Sequence, residues 1–419
     1  MISSKSIIIN RQSLIHNNVI DIDIDIKISD GFPVDYINKE YKHLLNDIKN
    51  EVCNYENWYI YRKLFTTSLF LNYYHNKKNI GIFKKNVLSR SFFKMIEIQN
   101  DYNILKLGNK KVKMAFIAEA PGGFIEACYK IRNKNSEDKY YTISLLDDNS
   151  SNIPTWYNLQ KKLIHKKNIE ICNGYDNTGD IYKLINIFNY VNKVGKHSCD
   201  IITADGGFDF TTDFINQEYN FARLFLCEIL IGLNLQKLGG NFIIKGFDLT
   251  NILNLKIFYI LCHLYDKVII TKLKTSRKTN SERYIVCKNM KNYLDEKILH
   301  KLYKVILKWD DYTKLNKKII DIFSFKIDKY FIKKIELYNS WFFEKQLDIY
   351  NYIININNNL LSNNLPNNLI KYIIKQLIID NIDSCITFCR INNIFIDFNS
   401  YFIVTNINEI INTHFILKI

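Results

Sequence analysis

A chain of 419 residues, 47% hydrophobic and 24% charged, has the composition of a globular protein with a sizeable core. Against 42 Asp and Glu it sets 57 Lys and Arg, and the net charge of +15 points to an anionic partner, nucleic acid first, although an AT-rich coding sequence also favours Lys, Asn, Ile and Tyr over Pro. No uncharged apolar run reaches the roughly 18 residues of a membrane span, the N-terminus lacks the pattern of a signal peptide, and the nine Cys form neither a CxxC pair nor a zinc set, so no metal is expected.

In chain order, Ile20, Ile22, Ile24, Ile26 and Ile28 alternate with polar residues and predict a half-buried strand, closed by Gly31-Phe-Pro33. A helix is expected from Pro33 to Asn50, where Tyr36, Ile37, Leu44, Leu45 and Ile48 recur at helical spacing. Trp58 to Tyr74 reads as a second helical region with Arg62 and Lys63 among aromatics. Such a mixture can hold RNA phosphates and bases; it also describes a core stripe with solvated flanks. Asn86 to Ile98 predicts a helix that buries Val87, Leu88, Phe92, Met95 and Ile96 and carries Lys94.

The chain then reaches its most informative stretch, Met114 to Tyr129. Met114 to Ala118 are apolar and short, as a parallel strand covered on both faces should be. Pro121, Gly122 and Gly123 make a tight turn, and Phe124 opens a helix whose free N–H groups point back into it. In an open α/β sheet this is where a nucleotide-like ligand sits.

A second strand, Tyr140 to Leu146, ends in Asp147-Asp148, a position for a ribose-binding carboxylate. Ile169 to Cys172 is a third, leading to a polar loop that ends at Asp180, either an adenine contact or a helix N-cap. Cys199 to Ala204 is a fourth, followed at once by Asp205-Gly-Gly-Phe208. The helix Glu218 to Leu238 is expected to end in a left-handed cap at Gly239-Gly240. Asn241 to Ile244 is a fifth strand with Lys245 at its end, and 267–272 with 283–288 form a closing pair around a basic loop. Residues 296–350 read as amphipathic helix, 351–368 as an Asn-rich hinge, and the remainder as alternating helical and strand-like runs.

Four charged residues thus stand at strand ends or facing the crevice: Lys94, Asp205, Lys245 and Glu282. Burial and a neighbouring cation both lower a lysine pKa, and carboxylates limit the fall. The expectation is a general base near neutral pH; an ion-pair network fixing loop geometry is the plainer reading.

The segments Arg90-Ser-Phe-Phe-Lys94, Ala120-Pro-Gly-Gly-Phe124, Ala204-Asp-Gly-Gly-Phe208, Gly240-Asn-Phe-Ile-Ile-Lys245 and Ser276-Arg-Lys-Thr-Asn-Ser-Glu282 resemble, in this order, the FtsJ-like S-adenosylmethionine-dependent ribose 2′-O-methyltransferases. Asp205-Gly-Gly and Thr178-Gly-Asp180 are most similar to the eukaryotic and viral branch that methylates mRNA caps. The resemblance implies an α/β fold, a Rossmann-like methyltransferase sheet, mostly parallel with an antiparallel last strand, over residues 86–295. Residues 1–85 form an N-terminal strand and helical extension, and 296–419 an accessory, mainly helical region. It implies a Lys94-Asp205-Lys245-Glu282 tetrad with Lys245 as the base. S-adenosyl-L-methionine would be held by Glu119, Ala120, Pro121, Gly122, Gly123 and Phe124, with Asp147 or Asp148 at its ribose and Asp180 with Ile181 at its adenine; Asp205 borders the same site.

The substrate implied is RNA, the capped mRNA 5′ end favoured, with Lys274, Arg277, Lys278 and Arg62 on its phosphates. Capping-machinery or polymerase partners and no membrane go with that reading. A reducing intracellular setting is expected, the cytoplasm (a viral factory or virion included) ahead of the nucleus. The competing readings are methylation of rRNA or tRNA ribose, and a non-catalytic RNA-binding subunit.

Overall fold

The computed structural model describes residues 6–15, 21–105, 108, 110–133, 135–146, 153–157, 159, 161, 168–208, 213–361 and 367–416. The strands are β1 Ser6–Asn10, β2 Ile24–Ser29, β3 Tyr74–His75, β4 Lys78–Asn79, β5 Lys113–Ile117, β6 Lys139–Ile143, β7 Ile169–Cys172, β8 Cys199–Ala204, β9 Gln236–Gly246, β10 Tyr265–Thr271, β11 Arg283–Met290 and β12 Lys318–Phe323. Eight of them form one sheet in the order β1-β10-β11-β9-β8-β5-β6-β7. From β7 to β9 the neighbours are parallel. β11, β10 and β1 are then added antiparallel, each to the one before.

This is the expected Rossmann-like sheet with its antiparallel closing strand. Its parallel centre is buried on both faces: every residue of β8 is buried, and only Lys113 of β5 is partly exposed. The strand order turns back between β5 and β8, so the carboxyl ends of these two strands frame the crevice. Flanking helices include Gly123–Ile131, Leu184–Val194, Gln217–Leu235 and Ile252–Leu264.

By contact density the chain forms two compact units. The first comprises residues 1–39, 101–272 and 282–338; the second comprises 40–100, 273–281 and 339–419. The first holds the sheet, with β12 paired antiparallel to β2. The second is mainly helical, with the helices Trp58–Leu64, Ser91–Tyr102, Asn367–Ile391 and Ile407–His414 and the small β3–β4 hairpin.

Several elements depart from expectation. The helix expected at Pro33 starts at Lys39, because the Tyr36 and Ile37 N–H groups donate to the Thr250 carbonyl at 2.8 and 3.2 Å. The second helical region is helix only over Trp58–Leu64, then a 3₁₀ turn and a hairpin. The helix bearing Lys94 is shifted to Ser91–Tyr102 and ends at the left-handed Asn103. Gly239-Gly240 does not cap a helix. The helix stops at Leu235, and the glycines lie inside β9, where pairing to β8 jumps from Gln236 to Asn241. Residues 318–323 are a strand, 351–361 continue the helix Lys329–Leu361, and among the described residues beyond 366 there are helices but no strand.

Candidate active site

Strand register builds the centre of the site. In the parallel pair β8–β9, Ala204 is level with Ile244, so Asp205 and Lys245 leave their strands side by side. In the antiparallel pair β9–β11, Tyr284 lies opposite Lys245. The Lys245 ammonium donates to the Asp205 carbonyl at 2.9 Å and stands 3.5 Å from Asp205 Oδ1. Tyr284 donates its hydroxyl to the same Oδ1 at 2.6 Å. The Lys245 and Asp205 side chains are only 12% and 13% exposed. Half-buried Glu282 precedes β11, and its carbonyl accepts from Lys272 Nζ at 3.0 Å. Next to it, the buried Arg283 guanidinium meets Asp248 Oδ1 at 3.3 Å and tethers this strand start to the turn after Lys245.

The Asp205-Gly-Gly turn needs both glycines for closeness. A Cβ on Gly207 would sit 2.7 Å from Lys245 Nζ, and one on Gly206 would sit 2.3 Å from Glu228 Oε1. Glu228 is fully buried and accepts the Gly206 N–H at 3.0 Å through Oε1, while Oε2 has no partner. Burial pushes its pKa up to about 8, against the pull of Lys245.

The expected fall of the Lys245 pKa does not occur. Burial is the largest influence and pulls that pKa down, but Asp205, Glu282 and Glu228 together outweigh it, and the net shift is upward. The resting group is an ammonium.

Beside this cluster lies the turn after β5. Ala118 and Gly122 adopt left-handed φ values of 55° and 101°. Gly122 N donates to the Glu119 carbonyl at 2.7 Å, and Ala120 N reaches Ser144 Oγ at 3.4 Å. Glu119 is 5% exposed. Burial pushes its pKa well above the usual carboxylate range; Asp205 and Glu228 add to the rise, and the Thr203 hydroxyl and Lys245 oppose it. A buried carboxyl whose charge is favoured only by the Thr203 hydroxyl and Lys245 fits a cationic group such as the α-ammonium of the expected cofactor, which would favour the carboxylate. Phe124 is 1% exposed, with its ring centroid 5.9 Å from that of Tyr284.

Residues 87–290 match the FtsJ-like methyltransferase family. These residues are an FtsJ-like methyltransferase domain. Curated relatives are named cap-specific mRNA (nucleoside-2′-O-)-methyltransferase 1. The Xenopus laevis protein is 30% identical over 230 residues, 50% of this chain and 26% of its own length. The Homo sapiens protein is 32% identical over 186 residues, 43% and 22%. That of Trypanosoma brucei brucei is 38% identical over 117 residues, 28% and 32%. The chain therefore spans about a quarter of the length of the vertebrate relatives it matches. Among solved structures, a ribosomal RNA methyltransferase from Plasmodium falciparum is 23% identical, with 48% of this chain and 98% of that one covered at a TM-score of 0.35.

In the FtsJ-like domain the loop before Ile181 is ordered by Asn186, which the sequence reading overlooked. Fully buried, Asn186 accepts the Tyr175 and Asp176 N–H groups and donates to Asp176, Thr178 and the Asp180 carbonyl. Asp180 does not cap the helix Leu184–Val194; its Oδ1 accepts from Tyr182 N at 2.9 Å in a local turn. Gly179 is left-handed at 63° and lies against the Ser144 carbonyl, where a Cβ has no room. Ile181 is buried. Asp147 and Asp148 lie outside the described residues.

The remaining expected residues belong to the second unit. Lys94 is half-buried on Ser91–Tyr102, and Arg62 is half-buried in the last turn of Trp58–Leu64. Lys274, Arg277 and Lys278 are exposed on the loop 273–281. Trp58 stacks on Tyr350 at 6.2 Å, and it is Tyr59, 65% exposed beneath Lys63 Nζ at 4.3 Å, that faces solvent. Glu228 and Tyr284 are the other functional residues missed. A carboxylate inside the apolar run Leu224–Leu235 was the available signal for the first; the second shows only through register.

Proposed function

We propose that this chain is an S-adenosylmethionine-dependent RNA methyltransferase acting on a ribose 2′-hydroxyl at the capped 5′ end of mRNA. The observation that carries the reading is Lys245: an amine at the end of a central strand, nearly buried, fixed at 2.9 Å to the Asp205 carbonyl and surrounded by carboxylates. When bound, the cofactor supplies a sulfonium methyl as electrophile. Glu119 to Phe124 hold its methionine part, Asp147 or Asp148 its ribose, and Asp180 with Ile181 its adenine side.

Lys245 faces the 2′-hydroxyl. A cation bound beside it lowers its pKa, so the neutral amine that can take the hydroxyl proton is reached in the loaded site. Asp205 and Glu282 orient it, Tyr284 fixes Asp205, and Lys94 is the fourth member of the set. Holding donor and acceptor in line supplies much of the acceleration. Lys274, Arg277, Lys278 and Arg62 contact RNA phosphates. In functional terms residues 86–295 are the catalytic part, with 1–85 and 296–419 accessory to it.

The names of the relatives favour the cap over internal ribose. The test is labelled methyl transfer to short RNAs that differ only in the cap. Transfer to the capped RNA alone is expected; equal transfer to both removes the cap from the proposal, and loss of neither on Lys245→Ala removes the catalytic assignment.

A further inference from the structure

The second unit contains a buried carboxylate that the transfer step does not use. Glu97 lies one turn after Lys94 on the helix Ser91–Tyr102 and is 5% exposed. Its Oε1 accepts the Lys274 N–H at 2.8 Å, and its Oε2 accepts the Thr275 N–H at 3.0 Å and the Thr275 hydroxyl at 2.8 Å. Charge-assisted bonds of this kind, made out of water, fix a backbone strongly.

The same loop is held from other sides. Thr67 Oγ1 donates to the Lys274 carbonyl at 2.7 Å, and Ser68 Oγ donates to that of Thr275 at 2.9 Å. Tyr350 OH donates to the Thr279 carbonyl at 2.6 Å, and Lys49 Nζ reaches Ser281 Oγ at 3.3 Å. Thr275, Ser276, Thr279 and Ser281 are buried, whereas Lys274, Arg277 and Lys278 are exposed. A loop with small polar residues turned inward and long cations outward presents charge at set positions. Such a frame suits phosphates, whose contacts set the register of a nucleic acid.

We infer that Glu97 is a positioning residue for RNA. It clamps the backbone of the loop 273–281 so that its three cations meet the RNA backbone at fixed points, and it does so from the helix that carries Lys94. The inference rests on the proposal that this loop contacts RNA.

The test is steady-state transfer by the full chain to a short capped oligonucleotide. Glu97→Ala is expected to raise KM for RNA about tenfold, with kcat held within about threefold and KM for S-adenosylmethionine unchanged. Glu97→Gln keeps one acceptor and no charge, and is expected to recover part of that loss. Removing all three cations (Lys274→Ala, Arg277→Ala, Lys278→Ala) is expected to raise KM for RNA as well, and adding Glu97→Ala to that variant to raise it little further.

If the triple variant raises KM and the Glu97 variants do not, the clamp is wrong and the RNA-binding loop stands. If neither raises KM, the loop reading fails and the clamp with it. Should Glu97→Ala not fold, a Glu97→Gln protein that melts like the parent and binds RNA like the parent overturns the inference.

Discussion

An ammonium held above the ordinary lysine pKa cannot accept a proton, so the pH at which Lys245 becomes an amine sets where transfer begins. The rate is expected to rise with pH until that pKa is passed. Glu282 is one of the charges that hold it up. Glu282→Gln removes that charge and lowers the pKa, so the rising limb of kcat against pH should move to lower pH, by about one unit. A limb that stays in place would remove Glu282 from the site. Lys245→Ala is expected to lose at least about 100-fold in kcat. Glu228 gives a prediction of stability instead. Its folded pKa of about 8 lies above the ordinary 4.5, so between these values the folded chain binds a proton that the unfolded chain does not. Stability from this group therefore falls as pH rises across that window, by at most about 1.4 kcal/mol per pH unit, and is level above it. Glu228→Gln should flatten the decline of Tm between pH 5 and pH 8; an unchanged slope would mean the carboxyl is not the source.

The turns after β5, β8 and β9 are the elements on which the site depends, and two adjacent glycines separate its chemistry from its folding. A Cβ on Gly207 meets the movable tip of Lys245, whereas one on Gly206 also meets Ala118 Cβ and Leu224 Cδ2 at 3.0 Å in the packed interior. Gly207→Ala should thus lower kcat about tenfold or more while leaving Tm nearly unchanged, since it displaces the amine. Gly206→Ala should cost about 1–3 kcal/mol of stability, read by denaturant titration. These turns were legible in the sequence because each joins an apolar run to a glycine pair or a charged residue, and strand ends are where such residues gather. What was not legible depended on distant partners. The helix start at Lys39 follows from N–H groups taken by Thr250, and β1 exists because Ser6–Asn10 finds the edge of β10. The direction of the Lys245 shift was misjudged because the balance of burial against charge depends on distance: Asp205 and Glu282 stand close enough to outweigh burial, and Glu228, reaching the site from mid-helix, adds to them.

At the scale of the molecule, the chain passes between its two compact units at 39/40, 100/101, 272/273, 281/282 and 338/339, so neither unit is a continuous piece. The segment that matches the family, 87–290, contains the parallel sheet but not all that its own unit requires. It lacks β1, which covers the outer edge of β10. It also lacks β12. From β12, Asp321 accepts from Lys256 Nζ at 2.6 Å, and the Phe323 carbonyl accepts from the same nitrogen at 2.6 Å, with both charged side chains only 6% exposed. Cutting the chain at 290 removes β12 together with that counter-charge and bares the face of the apolar helix Ile252–Leu264 that packs against it, whereas Asp321→Ala in the full chain leaves the ammonium buried and unpaired and should cost about 3–5 kcal/mol. Residues 87–290 produced alone should therefore be aggregated or unfolded by circular dichroism, while the full chain melts cooperatively. A shortened chain that melts like the full one would show that β1 and β12 are dispensable and that the family segment folds by itself.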